Sequence, residues 1–233
     1  MQQGFLLVTS EPGEQVSLEE FQDWYNNEHV PLRLNHLPSF LTGARFSAAD
    51  SGIPSWLAVY DVDDTGTFQH ESYTRLRAQR SLREADLVKR LAILDRRTYE
   101  VVKDSGESAL TSSYKPDNPT KFLITQWVHV PGENSAFEAW SDAAFRALRG
   151  VDGWARTRTY ICIDNMKTGT SVPAGPEAQL VPTFLAVHEV LSLSVADSPA
   201  FAAAANPESL ARIEETRKWE LYRAYPCIAQ GNL

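Results

Sequence analysis

Short apolar runs alternate with longer segments of helical periodicity along the whole chain. Apolar runs rich in strand-forming residues predict strands at 4–10, 40–48, 56–62 and 93–102, and then at 121–130, 154–163, 183–191 and 216–225. Apolar spacings of three and four residues predict helices at 17–34, 67–91, 134–149 and 199–213. The predicted order is therefore βαββαβ, and it occurs twice.

The two halves also share sequence. Segment 54–62 (PSWLAVYDV) matches segment 182–190 (PTFLAVHEV), RTYE at 97–100 matches RKWE at 217–220, and FL at 5–6 matches FL at 122–123. The polar segment 103–120, rich in Ser, Pro and Asp, separates the halves. We therefore predict a tandem duplication, with a first repeat at 1–102, a linker at 103–120 and a second repeat at 121–233.

The first predicted helix carries unusual groups on its apolar face. Ser17 and Glu20 have the spacing of a capping box. A turn of 100° per residue puts Glu28 in the middle of the apolar stripe and His29 at its edge. An unpaired buried carboxylate is costly, so Glu28 must find a cation, face a wet pocket or hold its proton. We expect Pro31 to end or kink the helix around these two residues, because it has no amide hydrogen.

The second repeat lacks this polar group. In register with the first helix, the residues of the second repeat that replace Tyr25, Glu28 and His29 are Ser141, Ala144 and Phe145. The shared fold does not require the trio, so the comparison predicts a site in the first half. The second repeat also carries an insertion at 164–180, whose composition favours a surface loop, with a lid as the alternative.

Composition narrows the function classes. The chain of 233 residues has 43% hydrophobic and 22% charged residues and a formal charge of −8, which argues against a general nucleic-acid binder. We find no secretory signal and no apolar run long enough to cross a bilayer. The two cysteines lack CxxC spacing, so we expect a cytoplasmic protein without a metal site.

The motifs WYNNEHVPLRL, PSFLTGARF and LDRRTYE, in a duplicated chain, resemble EthD-like proteins of the dimeric α+β barrel superfamily in tandem form. The resemblance implies an α+β fold in which two ferredoxin-like repeats pair their antiparallel sheets into one barrel within the chain. It also implies a small-molecule pocket between the sheet and the helices of the first repeat. The WYxxEH helix lines such a pocket, which assigns site roles to Trp24, Tyr25, Glu28 and His29. Heme held by His29 is open by analogy with the superfamily, although we predict no cofactor.

We predict His29 as the acid–base group, because imidazole titrates near neutrality, with Glu28 and Tyr25 as its catalytic partners. A salt bridge from Glu28 to Arg45 or Arg97 is the structural alternative. The predicted substrate-binding residues are Trp24, Arg45, Tyr60, Tyr99 and His188.

Three functions stay open at this point. The first is a cofactor-independent enzyme that acts on a small aromatic or polyketide-like molecule by decarboxylation, elimination or cyclisation. The second is a cofactor-free monooxygenase on a quinol-like substrate, and the third is a non-catalytic metabolite binder. Each hypothesis implies a small apolar or aromatic partner, with neither nucleic acid nor membrane, in an internal pseudo-dimer that can also form a homodimer.

Overall fold

The computed structural model describes residues 2–232, and its centre is a closed antiparallel barrel of eight strands. Alternating apolar positions give each strand one face toward the barrel interior and one toward a helical layer. The strands are β1 (Gly4–Glu11), β2 (Ala44–Ala48), β3 (Trp56–Val62), β4 (Ile93–Asp104), β5 (Phe122–His129), β6 (Trp154–Thr168), β7 (Phe184–Val190) and β8 (Arg212–Ala224).

Around the barrel the strand order is β1, β3, β2, β8, β5, β7, β6, β4. Each half of the chain supplies four neighbouring strands, and the halves join where β2 pairs with β8 and β4 pairs with β6. The barrel is therefore closed within one chain.

The α-helices lie outside the barrel. They are α1 (Leu18–Trp24), α2 (Pro31–Leu34), α3 (Glu71–Ala78), α4 (Leu82–Arg90), α5 (Asn134–Leu148) and α6 (Pro199–Ala205). A π turn, Tyr25–His29, connects α1 to α2. Within residues 2–232, every helix is too short or too polar to cross a membrane.

Several predicted boundaries were wrong. The single helix predicted at 67–91 is a 3-10 turn followed by α3 and α4, because the side chains of His70 and Ser81 each cap a new helix. The strand predicted from residue 40 begins at Ala44. The helix predicted at 199–213 ends at Ala205, and β8 begins at Arg212.

The insertion at 164–180 begins as regular strand. β6 continues through Thr168 and pairs with β4 as far as Leu94. Gln179 then fixes the returning chain, because its side-chain amide binds the backbone NH and carbonyl of Lys167, both at 2.8 Å. The segment therefore extends the edge of the barrel wall, and nothing in this packing gives it the character of a lid.

The segment predicted as a linker contributes to the barrel core. Tyr114 is fully buried among the interior rings, where it stacks on Phe5 at 6.4 Å between ring centroids. The Ser113 and Thr120 hydroxyls both donate to the carboxylate of Glu189, at 2.9 and 2.6 Å. Residues 105–121 contain no helix or strand, yet this segment closes one end of the barrel.

Strand pairing corrects one detail of the internal match. Leu6 lies opposite Tyr60, and Ile124 lies opposite His188. Because Tyr60 and His188 correspond, Leu6 is equivalent to Ile124, so the two FL dipeptides are out of register by one residue. The RTYE and RKWE segments do occupy equivalent positions, since Thr98 and Lys218 face Leu6 and Ile124.

Candidate functional site

The first helix widens at the predicted place. The Val30 amide donates to the Tyr25 carbonyl at 3.0 Å, which is the five-residue spacing of a π turn. Pro31 cannot supply the amide hydrogen that the Asn27 carbonyl would accept in a continuous α-helix, so the chain widens before α2 begins. This turn carries Tyr25, Glu28 and His29.

His29 pairs with a carboxylate from another helix. Its Nδ1 lies 2.8 Å from Oε1 of Glu84 in α4, and the His29 side chain is only 12% exposed. Burial and the charge of Arg33 lower the pKa of His29 to about 4, although the bond to Glu84 opposes them. Although burial opposes it, the pKa of Glu84 is also lowered, by His29 and the nearby arginines. At neutral pH the pair is a neutral imidazole beside a carboxylate.

Glu28 does not occupy the position predicted for it. Its carboxylate accepts a hydrogen bond from the Ser81 hydroxyl at 2.5 Å, lies 4.0 Å from Arg83, and is 20% exposed. The prediction assumed a regular 100° step, whereas the π turn moves Glu28 away from the middle of the apolar face. The alternative salt bridges to Arg45 or Arg97 are also absent from the described chain, where Arg97 binds Asp95 at 2.7 Å.

Tyr25 and Tyr60 bring buried hydroxyls to the space between helix and sheet. Both residues are 1% exposed, and neither hydroxyl has a hydrogen-bond partner of good geometry in residues 2–232. Burial raises the pKa of each phenol, against the opposing charges of Arg33 and Arg45. Both hydroxyls therefore remain protonated and able to donate.

Arg45 packs against the ring of Tyr25. Its guanidinium carbon lies 4.0 Å from the centre of the Tyr25 ring, and its Nη1 donates to Gln22 at 2.6 Å and to Asn26 at 3.3 Å. Trp24 is fully buried, and its ring centroid is 4.5 Å from that of His29. The structure thus brings Trp24, Tyr25, His29, Arg45 and Tyr60 together.

Unpaired polar atoms concentrate in this layer. Of the eleven buried side-chain N and O atoms without a partner in the described chain, eight belong to it. The eight residues are Gln22, Trp24, Tyr25, Arg33, Arg45, Tyr60, Arg80 and Glu84. The other three, on Arg97, Tyr114 and Tyr160, belong to barrel strands and the segment that closes them. Buried polar groups are normally paired, so this concentration marks the layer as a candidate site.

Two predicted binding residues lie elsewhere. Tyr99 points into the barrel interior, where its hydroxyl accepts from the Trp127 indole at 3.3 Å. His188 lies in the second half with both ring nitrogens engaged, by Thr157 at 2.8 Å and Gln126 at 3.2 Å. Alternation along β4 turns Tyr99 into the barrel, and His188 faces the helical layer of the second half, so neither residue reaches His29.

The predicted pocket beside the WYxxEH helix is filled by its own aromatic rings. The principal clefts of the described chain are lined by none of Trp24, Tyr25, Glu28 and His29. A cleft of about 780 Å³ instead lies between the segment that closes the barrel and the C-terminal residues. Its wall includes Tyr225, whose hydroxyl donates to Asn26 and so connects the cleft to the candidate site.

Sequence reasoning missed Glu84 and Arg33. Ser81 and Glu84 have capping-box spacing, and Ser81 does accept from the Glu84 amide at 3.0 Å. Glu84 also lies three and seven residues before the fully buried Leu87 and Leu91, so its carboxylate interrupts an apolar stripe. That is the same signal that drew attention to Glu28. Arg33 has no comparable signal in the sequence.

No protein-family model matches the chain, and no curated protein matches it in sequence. Solved structures are similar to it over almost its whole length. An anthrone oxidase-like protein is 12% identical with a TM-score of 0.58, and the match covers 96% of this chain and 92% of that one.

A chlorite dismutase-like protein is 8% identical with a TM-score of 0.57, over 99% and 97% of the two chains. A heme-binding protein from Thermus thermophilus is 9% identical with a TM-score of 0.55, over 95% and 92%. Such neighbours are members of the dimeric α+β barrel superfamily. At these identities the likeness establishes the fold alone: this chain is a mixed α/β protein with a closed eight-stranded antiparallel barrel, consistent with these neighbours.

Proposed function

We propose that the chain is an enzyme of small-molecule metabolism in which His29 takes a proton from the substrate. The observation that carries this proposal is the buried His29–Glu84 pair among unpaired hydroxyl and guanidinium groups. A neutral imidazole can accept a proton at Nε2 while Nδ1 donates to Glu84, which holds the ring in one orientation. Glu84 takes the positioning role that the sequence had assigned to Glu28.

The proposed step is a proton transfer. In this step the substrate displaces the aromatic rings that fill the space beside His29. His29 Nε2 then accepts the proton of an acidic C–H or O–H bond, and the bonding pair stays on the substrate as an enolate or phenolate. The protonated Tyr25 and Tyr60 hydroxyls and the cation of Arg45 are the groups available to stabilise that negative oxygen. Elimination and cyclisation can begin with this step, whereas in decarboxylation the same hydroxyls and guanidinium would stabilise the enolate that forms as the C–C bond breaks and CO₂ leaves.

Tandem ferredoxin-like repeats and an EthD-like origin belong to the same proposal. Each half supplies four neighbouring strands in equivalent order, which supports a duplication. The Trp24, Tyr25 and His29 positions of the EthD-like helix lie together, which supports the resemblance.

Heme fits neither His29 nor His188. The His29 ring is packed between Trp24 and Tyr25 and lines none of the principal clefts of the described chain, and both nitrogens of His188 have partners inside the second half. A heme ligand needs a free ring nitrogen that faces a space large enough for the macrocycle. We therefore derive no step through heme.

The test is exchange of substrate C–H protons with D₂O, followed by NMR. Anthrone and ethyl acetoacetate are suitable carbon acids, the first because of the name of one structural neighbour. We expect His29→Gln to slow exchange by about 10²–10⁴-fold, because glutamine can keep the bond to Glu84 but cannot take the proton. The matched control is Phe145→Leu at the equivalent position of the second half, which should exchange at the wild-type rate.

Equal exchange in wild type and His29→Gln would contradict the proposal. Oxygen uptake is recorded in the same reaction. Uptake of one O₂ for each anthrone converted to the quinone and water would instead support the cofactor-free monooxygenase. Recovery of unchanged ligand from a tight complex would support a binding protein.

A further inference from the structure

Arg45 is a buried cation without an acidic partner. The residue is 1% exposed, and no carboxylate of residues 2–232 lies within 4.0 Å of it. Its Nη2 is buried and has no acceptor in the described chain. Of the five other buried arginines, four bind a carboxylate: Arg96 with Asp164, Arg97 with Asp95, Arg158 with Asp61, and Arg217 with Asp50. The fifth, Arg33, donates to the His29 carbonyl at 2.7 Å.

Four aromatic rings surround this guanidinium. Its central carbon lies 4.0 Å from the ring centre of Tyr25, 5.1 Å from Tyr222, and 5.3 Å from both Phe21 and Trp56. The ring faces attract the cation but offer no lone pairs in the plane of its N–H bonds. The charge is therefore only partly compensated, and an anion would complete its hydrogen bonds.

One of the four rings gives access to the guanidinium. Tyr222 is 42% exposed, whereas Phe21 and Tyr25 are buried. Asn26 donates an exposed hydrogen bond to the Tyr222 hydroxyl at 3.2 Å. Trp56 packs edge-on against Tyr222 at 5.3 Å and is itself half-buried. A rotation of the Tyr222 side chain thus exposes a cation that lies between aromatic faces.

We propose that Arg45 binds the carboxylate of a small aromatic acid, whose ring takes a place between Trp56 and Tyr222. A carboxylate matches the two-pronged guanidinium, and an aromatic ring matches the surrounding faces. This inference deepens the proposed function, because it names the substrate class of the same site. It can fail without contradicting the proton-transfer role of His29.

The test is equilibrium binding of 2-naphthoate and of its uncharged analogue 2-naphthamide, measured by calorimetry and by quenching of tryptophan fluorescence. Wild type should bind the acid at least about 10-fold more tightly than the amide. Arg45→Met should abolish this preference, and Arg45→Lys should weaken binding of the acid, because lysine lacks the two-pronged geometry.

Arg217→Met is the matched control. Arg217 is also buried and stacked on an indole, 4.6 Å from the Trp219 ring centre, but it has Asp50 as its partner. This variant should keep the naphthoate preference. Tyr222→Ala should bind naphthoate faster but less tightly, because the covering ring is gone and the ligand loses one of its two aromatic faces.

Three results would overturn the proposal. They are equal binding of acid and amide by wild type, unchanged naphthoate binding by Arg45→Met, and no binding of naphthoate at all. If Arg45→Met does not fold, wild type and Arg45→Lys decide the same question. His29→Gln should bind naphthoate normally, so loss of proton exchange and loss of anion binding are separable.

Discussion

Both halves of the barrel pack a helix on a sheet, but they differ in whether the polar groups between helix and sheet are hydrogen-bonded. In the first half Tyr25 of the π turn covers Arg45 of β2, and both keep unpaired polar atoms. The equivalent pair in the second half is Ser141 and Thr159, whose hydroxyls are hydrogen-bonded at 3.0 Å. The equivalence follows from strand register, since Arg45 faces Ala58 and Thr159 faces Ala186.

The same contrast holds one strand away. His188 in the second half has a partner on each ring nitrogen, whereas the hydroxyl of its counterpart Tyr60 has none in the described chain. In these paired positions the helix-on-sheet layer of the second half is thus satisfied, and that of the first half is not. A layer that can be built without unpaired polar groups, but carries them in only one copy, is typical of a site whose groups serve a ligand.

The largest expected effect is a fall in the free energy of unfolding as the pH is lowered. Each half contributes to it through one histidine whose pKa is lowered by burial. Burial lowers the pKa of His29 to about 4 and of His188 to about 3, from the ordinary value of 6.5. The unfolded chain therefore binds more protons between these values, so stability is present above pH 6.5 and is lost as the pH falls toward 4.

Between pH 7 and pH 5 we expect a loss of about 2 kcal/mol in the free energy of unfolding from each histidine. Urea unfolding at several pH values measures it. His188→Phe should remove about half of the dependence, and His29→Gln should remove the other half. A free energy that stays constant over this range would contradict both burial assignments.

A smaller effect on the free energy of unfolding is expected when the two equivalent residues, Tyr60 and His188, are each replaced by Phe. His188→Phe leaves the side-chain oxygen Oε1 of Gln126 without its partner and should cost about 3 kcal/mol. Tyr60→Phe removes only a hydroxyl that has no partner in the described chain, so it should be neutral or stabilising by up to about 1 kcal/mol. Urea unfolding at pH 7 compares the two. Equal costs would show that the halves are satisfied to the same degree.

The smallest effect concerns Thr159→Val. The substitution keeps the shape but removes the hydrogen bond to Ser141, whose hydroxyl still donates to the Phe137 carbonyl at 2.8 Å. We expect a loss of about 1 kcal/mol in the free energy of unfolding and no change in naphthoate binding. Altered binding would indicate that the second half also contributes a ligand site.

The sequence by itself determined the order of strands and helices, the start of α1 at Ser17 and the distortion before Pro31. These features depend on local causes: residue periodicity, side-chain caps and a missing amide hydrogen. Comparison of the two halves of the sequence also predicted a site in the first half, because Ser141, Ala144 and Phe145 replace its polar trio.

Tertiary structure alone decided which polar groups meet. The partner of His29 comes from 55 residues away in α4, and Tyr222 from β8 covers Arg45. Glu28 left the apolar face because the π turn changes the angular step between residues, and Tyr114 of the predicted linker entered the barrel. Such contacts depend on strand register and on how the strands of the two halves pair. The spacing of residue types along the sequence does not reveal either.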